Sequence, residues 1–172
     1  LIDRQPTLCG DVVTLRPTSE QDRELLFAVA SDRLLWELHP AHDRWQRPVF
    51  EAFFDDGLRS CGALTVIDSV SGMVAGATRF GLNNEDRGEI EIGWTYLARK
   101  YWGGPGNSEM KRLMIDHVRG EVSAVTFVVG VANFRSRRAL EKLGACLRPG
   151  TQTRTMAGRQ VEHVTYAIAM KI

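Results

Sequence analysis

Residues 98–114, "ARKYWGGPGNSEMKRLM", crowd three glycines and a proline into positions 103–106 and pass straight into a helical pattern. Ahead of them, "GEIEIGWTYL" (88–97) alternates as a β-strand does. A strand, a glycine-rich turn and a helix start gather unpaired backbone N–H groups and the positive end of a helix dipole at one point. Such a point binds phosphate. Glycine lets an anion come close to the backbone and tolerates φ > 0. The plainer alternative is a tight connection with no ligand; Gly103, Gly104 and Gly106 together favour the anion. A Walker loop requires Gly-Lys-Ser/Thr, whereas Asn107 and Ser108 follow Gly106. A dinucleotide fingerprint requires a third glycine, which "GPGNSE" lacks.

The elements that must position this loop follow from periodicity. "GDVVTLR" (10–16) is a strand that Pro17 stops. Ser19 is an N-cap with Asp22 in the first turn, and Leu25, Leu26 and Val29 mark an apolar helix face running on toward Leu35 and Trp36. "HPAHDRW" (39–45) is a loop. Val49, Phe50, Phe53 and Phe54 share one side of a second helix, which Gly57 ends. Residues 63–68 and 73–80 form a hairpin. In 88–97, Glu89, Glu91, Gly93 and Thr95 point one way; Ile90, Ile92, Trp94 and Tyr96 point the other. Met110, Leu113, Met114, His117 and Val118 form a helical stripe. "AVTFVVGV" (124–131) is a strand buried on both faces, and "SRRALEKLG" (136–144) is a short helix closed by Gly144. Residues 151–156 and 160–170 make a last hairpin around "AGR". The order β-α-α-β-β-β-α-β-α-β-β defines one α/β domain over 1–172 with a mixed sheet, in which 88–131 is a crossover between parallel strands.

The bulk numbers fit that reading and narrow the function. At 172 residues the chain buries roughly 70% of its unfolded surface, enough for a real core. A formal net charge of +1 offers no field for steering nucleic acid or an anionic membrane, so neither is expected as a partner. Cys9, Cys61 and Cys146 are odd in number and far apart. They give neither a zinc spacing nor a disulfide framework, and suit reduced thiols in a cytoplasmic protein without a metal. No apolar run approaches the ~20 residues of a membrane span, and no signal peptide is visible.

"EIEIGWTYLARKYWGGPGNSEMKRLMIDHV" followed by "VVGVANFRSRRALEKLGA" resembles the GCN5-related N-acetyltransferase (GNAT) superfamily, and most of all the RimJ/RimL-like branch similar to ribosomal-protein N-terminal acetyltransferases. That branch carries a Trp-Gly loop ending in Thr/Ser-Glu, matched by Trp102, Gly103, Ser108 and Glu109. It also carries an asparagine, a serine three residues on, and Lys-Leu-Gly, matched by Asn133, Ser136 and Lys142-Leu143-Gly144. "LRP" and "VAGATRF" fit the same branch, so the likeness covers nearly the whole chain. It implies the GNAT fold with splayed central parallel strands, and acetyl-CoA as co-substrate. Amides of the loop (Trp102, Gly103, Gly104, Gly106, Asn107, Ser108) would hold the pyrophosphate, and the backbone at Tyr96 and Leu97 would pair with the pantetheine arm. Asn133 would hydrogen-bond that arm. Pro105 departs from the superfamily signature and offers no N–H.

The resemblance further implies direct attack of an amine on the thioester. Neutralising a lysine-like amine (pKa about 10.4) at pH 7 costs roughly 4–5 kcal/mol, against about 1 kcal/mol for an α-amine near 8. Glu89 and Glu91 share the strand face beside the arm, and such a carboxylate could act as base directly or through water; Glu91, nearer the centre of the strand, is the expected one, with His39 and His42 as further candidates. The leaving thiolate needs less help. Many superfamily members place a tyrosine seven residues after the asparagine; Leu140 stands there, which leaves Ser136 as the substitute acid and, alternatively, as the cap of its helix. Arg135, Arg137 and Arg138 lie near the expected coenzyme, and Trp36, Trp45, Phe50 and Phe54 fall in the two-helix region that shapes the acceptor pocket. The acceptor is an amine of unspecified kind, and dimerisation is common in this branch. The competing reading is a coenzyme-binding or ligand-sensing module on the same fold without catalysis, to which Pro105 and Leu140 point.

Overall fold

The computed structural model of the chain describes residues 2–84 and 86–170; the outermost positions of the 1–172 domain reading lie outside them. Nine strands form one mixed sheet. They are β1 (Leu8–Cys9), β2 (Val13–Pro17), β3 (Ala63–Asp68), β4 (Val74–Asn84), β5 (Glu89–Leu97), β6 (Ala124–Gly130), β7 (Cys146–Leu147), β8 (Gln152–Met156) and β9 (Arg159–Ala169). The order is β1-β2-β3-β4-β5-β6-β9-β7, with β8 paired to β9. All neighbours are antiparallel except β5 and β6. The expected α/β architecture and element order are present; the two-residue strands β1 and β7 are additions too short to leave a periodic signal.

Four α-helices cover the sheet: α1 (Arg23–Ala30), α2 (Arg47–Arg59), α3 (Gly106–His117) and α4 (Phe134–Leu143). On one face α1 and α2 bury Leu26, Phe50 and Phe54 with Trp36 and Tyr96. On the other, Met110 and Met114 of α3 and Leu140 of α4 pack with Leu64, Phe80, Ile90 and Ile92.

Local sequence explains most boundaries, and the structure corrects three. The first helix stops at Ala30 and does not continue to Trp36: Asp32 turns extended and caps a separate 3-10 turn, Arg33–Trp36, by accepting from the Leu34 N–H at 3.1 Å. The second helix runs through Gly57, which does not end it. A Cβ there would lie 3.0 Å from the Arg79 guanidinium, so this glycine makes room for a buried arginine. The last helix starts two residues earlier than expected, at Phe134, because Asn133 and not Ser136 is its N-cap. Gly144 closes it at φ 94°, as expected.

Candidate active site

The parallel pairing of β5 with β6 lasts for only three residue pairs, Glu89–Ala124, Ile90–Val125 and Glu91–Thr126. Beyond them β5 stays with β4 as far as Leu97, and β6 stays with β9 as far as Gly130. The two strands therefore diverge, and a cavity of about 260 Å³ opens between them. It reaches from Asn107, Asn133 and Ser136 on the α3/α4 side to Trp36, His39 and Arg44 on the α1/α2 side. Pro40 presses on the end of β6 so closely that a Cβ at Gly130 would lie 2.4 Å from its ring.

A bulge in β5 sets which side chains enter this cavity. Ala77 pairs with Tyr96 and Arg79 with Gly93, so Trp94 and Thr95 oppose the single residue Thr78. Trp94 sits at φ 52°, an uncommon conformation for a bulky residue. The strict alternation expected for 88–97 is thereby broken. Ile90 and Ile92 point toward α3, but beyond the bulge it is Thr95 that shares their face, while Tyr96 packs on Trp36 at 5.3 Å between ring centroids. Burial pushes the Tyr96 hydroxyl up, so it remains neutral.

Thr95 receives the ammonium of Lys111, whose Nζ donates to Oγ1 at 2.7 Å. Lys111 is 6% exposed, lines the cavity, and has no carboxylate partner among the described residues. Burial alone brings it down to about 7. Sequence reading missed it, although a signal was present: Asn107, Lys111, Met114 and Val118 share one helix face at i, i+4, i+7 and i+11.

The glycine loop delivers fewer free amides than expected. Trp102 N–H donates to Arg99 O at 3.0 Å and Gly104 N–H to Tyr101 O at 3.4 Å, so these two are engaged within the protein. Pro105 already has helical φ and ψ and serves as the cap of α3, a place where a missing N–H costs nothing. Its carbonyl accepts from the Glu109 N–H and the Ser108 Oγ, both at 2.9 Å. The amides of Gly103, Gly106, Asn107 and Ser108 have no acceptor among the described residues. Gly103 stands at φ 71°, which suits its lack of a side chain. Of the predicted loop residues, Trp102, Gly103 and Asn107 line the cavity; Gly104, Gly106 and Ser108 do not. Glu109 does not line the cavity. Its carboxylate accepts from the N–H groups of Asp11, Val12 and Val13 at 3.1, 2.7 and 2.7 Å, fastening the helix start to the turn before β2.

Tyr96, Leu97, Asn133, Ser136 and Glu91 line the same cavity. Asn133 is 6% exposed, and its Oδ1 accepts from the Ser136 N–H at 3.3 Å. Ser136 is thus relieved of the capping role, and its hydroxyl has no partner among the described residues. Of the three arginines, Arg137 is committed to Val131 O and the Tyr166 hydroxyl, Arg138 lies off the cavity, and Arg135 stacks on the Trp102 ring at 3.7 Å at the cavity edge.

On the α1/α2 side, Glu91 is held by Arg154 through two contacts of 3.3 and 3.1 Å, and Glu89 by Arg148 at 3.1 and 2.7 Å, away from the cavity. Burial, then repulsion from Arg44 and His163, pushes His39 down to about 3. Its Nδ1 accepts from the Ala41 N–H at 2.9 Å, which leaves Nε2–H as a donor and removes His39 as a base. His42 lies outside the cavity beside Arg159. Two cavity residues were not foreseen. His163 is 2% exposed and donates from Nδ1 to Val161 O at 2.9 Å, which in the neutral ring leaves Nε2 as an acceptor. Arg44 is 9% exposed. Burial, then the charge of Arg79, brings it down to about 10, so it stays charged at neutral pH. Each comes from an element whose own periodicity says nothing about the cavity.

A model of the acetyltransferase (GNAT) domain matches residues 13–145. The chain belongs to this family of acetyltransferases. Among solved structures it is similar to a GCN5-related N-acetyltransferase from Brucella melitensis, with 26% identity over 96% of this chain and 79% of that one, and a TM-score of 0.79. The microcin C7 self-immunity acetyltransferase MccE, solved with acetyl-CoA and AMP, shares the fold at 14% identity over 94% of both chains, with a TM-score of 0.77. A Vibrio cholerae structure described as a ribosomal-protein-serine acetyltransferase shares it at 12% identity over 98% of this chain and 99% of that one, with a TM-score of 0.73. No curated protein matches the chain in sequence. Among the described residues no helix is long and apolar enough to cross a membrane, and no three or more His, Cys, Asp or Glu side chains are grouped to hold a metal ion. The three cysteines are free and exposed.

Proposed function

We propose that this acetyltransferase moves the acetyl group of acetyl-CoA directly to a primary amine. The observation that carries the reading is the gap between β5 and β6, which opens at the free amides of α3 and continues through the sheet to a second, polar mouth. Its chemistry fits the group: unpaired N–H donors at a helix start suit a pyrophosphate, and the strand edge from Ile92 to Leu97 suits an amide-bearing arm. Acetyl-CoA supplies an acyl group activated as a thioester. Gly103 and Asn107 anchor the phosphate end, joined by the outlying amides of Gly106 and Ser108. The backbone at Tyr96 and Leu97, together with Asn133, orients the arm.

Glu91 removes the proton of the incoming ammonium, through water, while Arg154 keeps the carboxylate aimed. A carboxylate has about four lone-pair sites, so the two contacts with Arg154 leave it able to accept more. Ser136, whose hydroxyl is not spent on capping α4, donates a hydrogen bond to the departing sulfur. Relationship to the RimJ/RimL-like branch, action in the cytoplasm and a homodimeric state are further parts of this proposal. The likeness to the Vibrio cholerae structure supports the first.

Calorimetry with acetyl-CoA, ATP and NAD, followed by thiol release on an amine panel, tests the reading. Binding of acetyl-CoA alone with amine-dependent thiol release is expected. Binding without release on any amine would favour the sensing module, and preference for ATP or NAD would refute the proposal.

A further inference from the structure

Arg44 lines the acceptor-side mouth and is nine-tenths buried, yet no hydrogen bond or carboxylate partner engages its guanidinium among the described residues. It rests on aromatic faces, 4.0 Å from the Phe53 centroid and 5.6 Å from that of Trp36. Nearby Asp56 is already held by Arg79 at 2.7 Å. A guanidinium has five N–H donors and no acceptor, and burying it without a counter-charge is costly. Cation–π contacts return only a part of that cost. Beside it, His39 offers a second donor: Nδ1 is occupied by the Ala41 N–H, so Nε2–H is the free end. Two observations, one on charge and one on tautomer, therefore place two unpaired donors, the Arg44 guanidinium and the His39 Nε2–H, on one wall of the pocket. The same cavity carries acceptors in the Glu91 carboxylate and, in its neutral form, His163 Nε2.

Resting on the proposed acetyl transfer, we propose that the acceptor is a small amine that bears an acidic group of its own, a carboxylate or a phosphate-like group, and that this group seats on Arg44 and the Nε2–H of His39. The ammonium lies toward Glu91 and His163. A cavity of about 260 Å³, shared with the acyl arm, suits a small molecule and not a folded protein surface. The anion is not the coenzyme's own: Arg44 stands on the α1/α2 side with Trp36 and Phe53, whereas the free amides of α3 open on the other side.

The test compares wild type, Arg44→Gln and Arg44→Lys in thiol release from acetyl-CoA. The acceptors are glutamate, aspartate and 2-aminoethylphosphonate, each against its uncharged ester, and a short peptide with an acidic first residue. Wild type should prefer the acids about 10- to 100-fold in kcat/KM, the scale of a lost hydrogen-bonded charge pair. Carboxylates and phosphonate, as separate arms, identify which anion fits. Arg44→Gln should abolish the preference while leaving acetyl-CoA affinity unchanged, and Arg44→Lys should restore part of it. Equal rates on acids and esters, equal losses on both in Arg44→Gln, or a stronger preference for the peptide would overturn the proposal. Should no amine turn over, the acetyl-CoA complex is titrated with inorganic phosphate and with succinate. Binding lost in Arg44→Gln supports the seat, and absence of binding to wild type refutes it. Failure of acetyl-CoA itself to bind would sink the transfer reading instead, and the same anion titration on the free protein would still decide the seat.

Discussion

Replacing Lys111 by methionine should stabilise the protein at neutral pH, and the gain should vanish as pH rises. Lys111 is buried, hydrogen-bonded only to Thr95, and brought by desolvation from 10.5 to about 7. The sign follows from proton counts. Between pH 7 and 10.5 the unfolded chain keeps the Lys111 proton while the folded chain loses it, so stability rises with pH across that window. A shift of about 3.5 units corresponds to a penalty of about 4–5 kcal/mol at pH 6, falling to about 2 kcal/mol at pH 9 and to little above pH 11. Methionine removes the titrating group, keeps much of the apolar volume, and gives up one hydrogen bond worth about 1 kcal/mol. Urea unfolding of both proteins at pH 6, 7, 8 and 9 measures the difference, in which all other titrations cancel. The methionine variant should lead by about 3 kcal/mol at pH 7, and its lead should shrink by about 2 kcal/mol by pH 9. A difference that does not change with pH would refute the reasoning, because it would mean that folding does not perturb this ammonium.

Three further outcomes are expected. Glu109→Gln should cost about 1–3 kcal/mol in urea unfolding, because one neutral amide oxygen replaces a carboxylate that accepts from three backbone N–H groups. Asn133→Ser preserves a good N-cap, so stability should change by less than about 0.5 kcal/mol, while acetyl-CoA affinity by calorimetry should fall about 3- to 10-fold through loss of the amide. Glu91→Gln should lower kcat more for an aliphatic amine of pKa about 10.4 than for an α-amine near 8; equal losses on both would remove Glu91 as the base.

How much of this was legible in the sequence depends on how local the cause is. The strands and helices were readable because each carries its own period, and the mixed sheet followed from their order. The exceptions have causes elsewhere in the chain. Gly57 looks like a helix terminator and lies inside α2 because the Arg79 guanidinium needs the space. Ser136 and Asn133 are both good caps; the choice of Asn133 reflects where β6 ends, at Gly130. The loop's glycines marked the right place, but two of its amides turn inward, which composition does not encode. Lys111 was readable from helical spacing. Arg44 and His163 were not, since a cavity wall assembled from a loop and a distant strand leaves no pattern in either.

The bulge at Trp94 ties the two halves of the site together. Without it, the alternation of β5 would place Thr95 with Glu91 and Tyr96 with Ile92. One extra residue reverses both. Tyr96 turns to the α1/α2 side, where it packs on Trp36 and Phe53 and so supports the wall that carries Arg44. Thr95 turns to the α3 side, where it receives Lys111. The strain at φ 52° is retained at the point where β5 has already lost β6 as a neighbour, so no ladder hydrogen bonds on that edge are sacrificed. The opening of the sheet and the bulge are therefore one device. Divergence exposes the strand edge to a ligand, and the inserted residue gives that edge a cationic end on one side of the sheet and an aromatic, donor-lined pocket on the other.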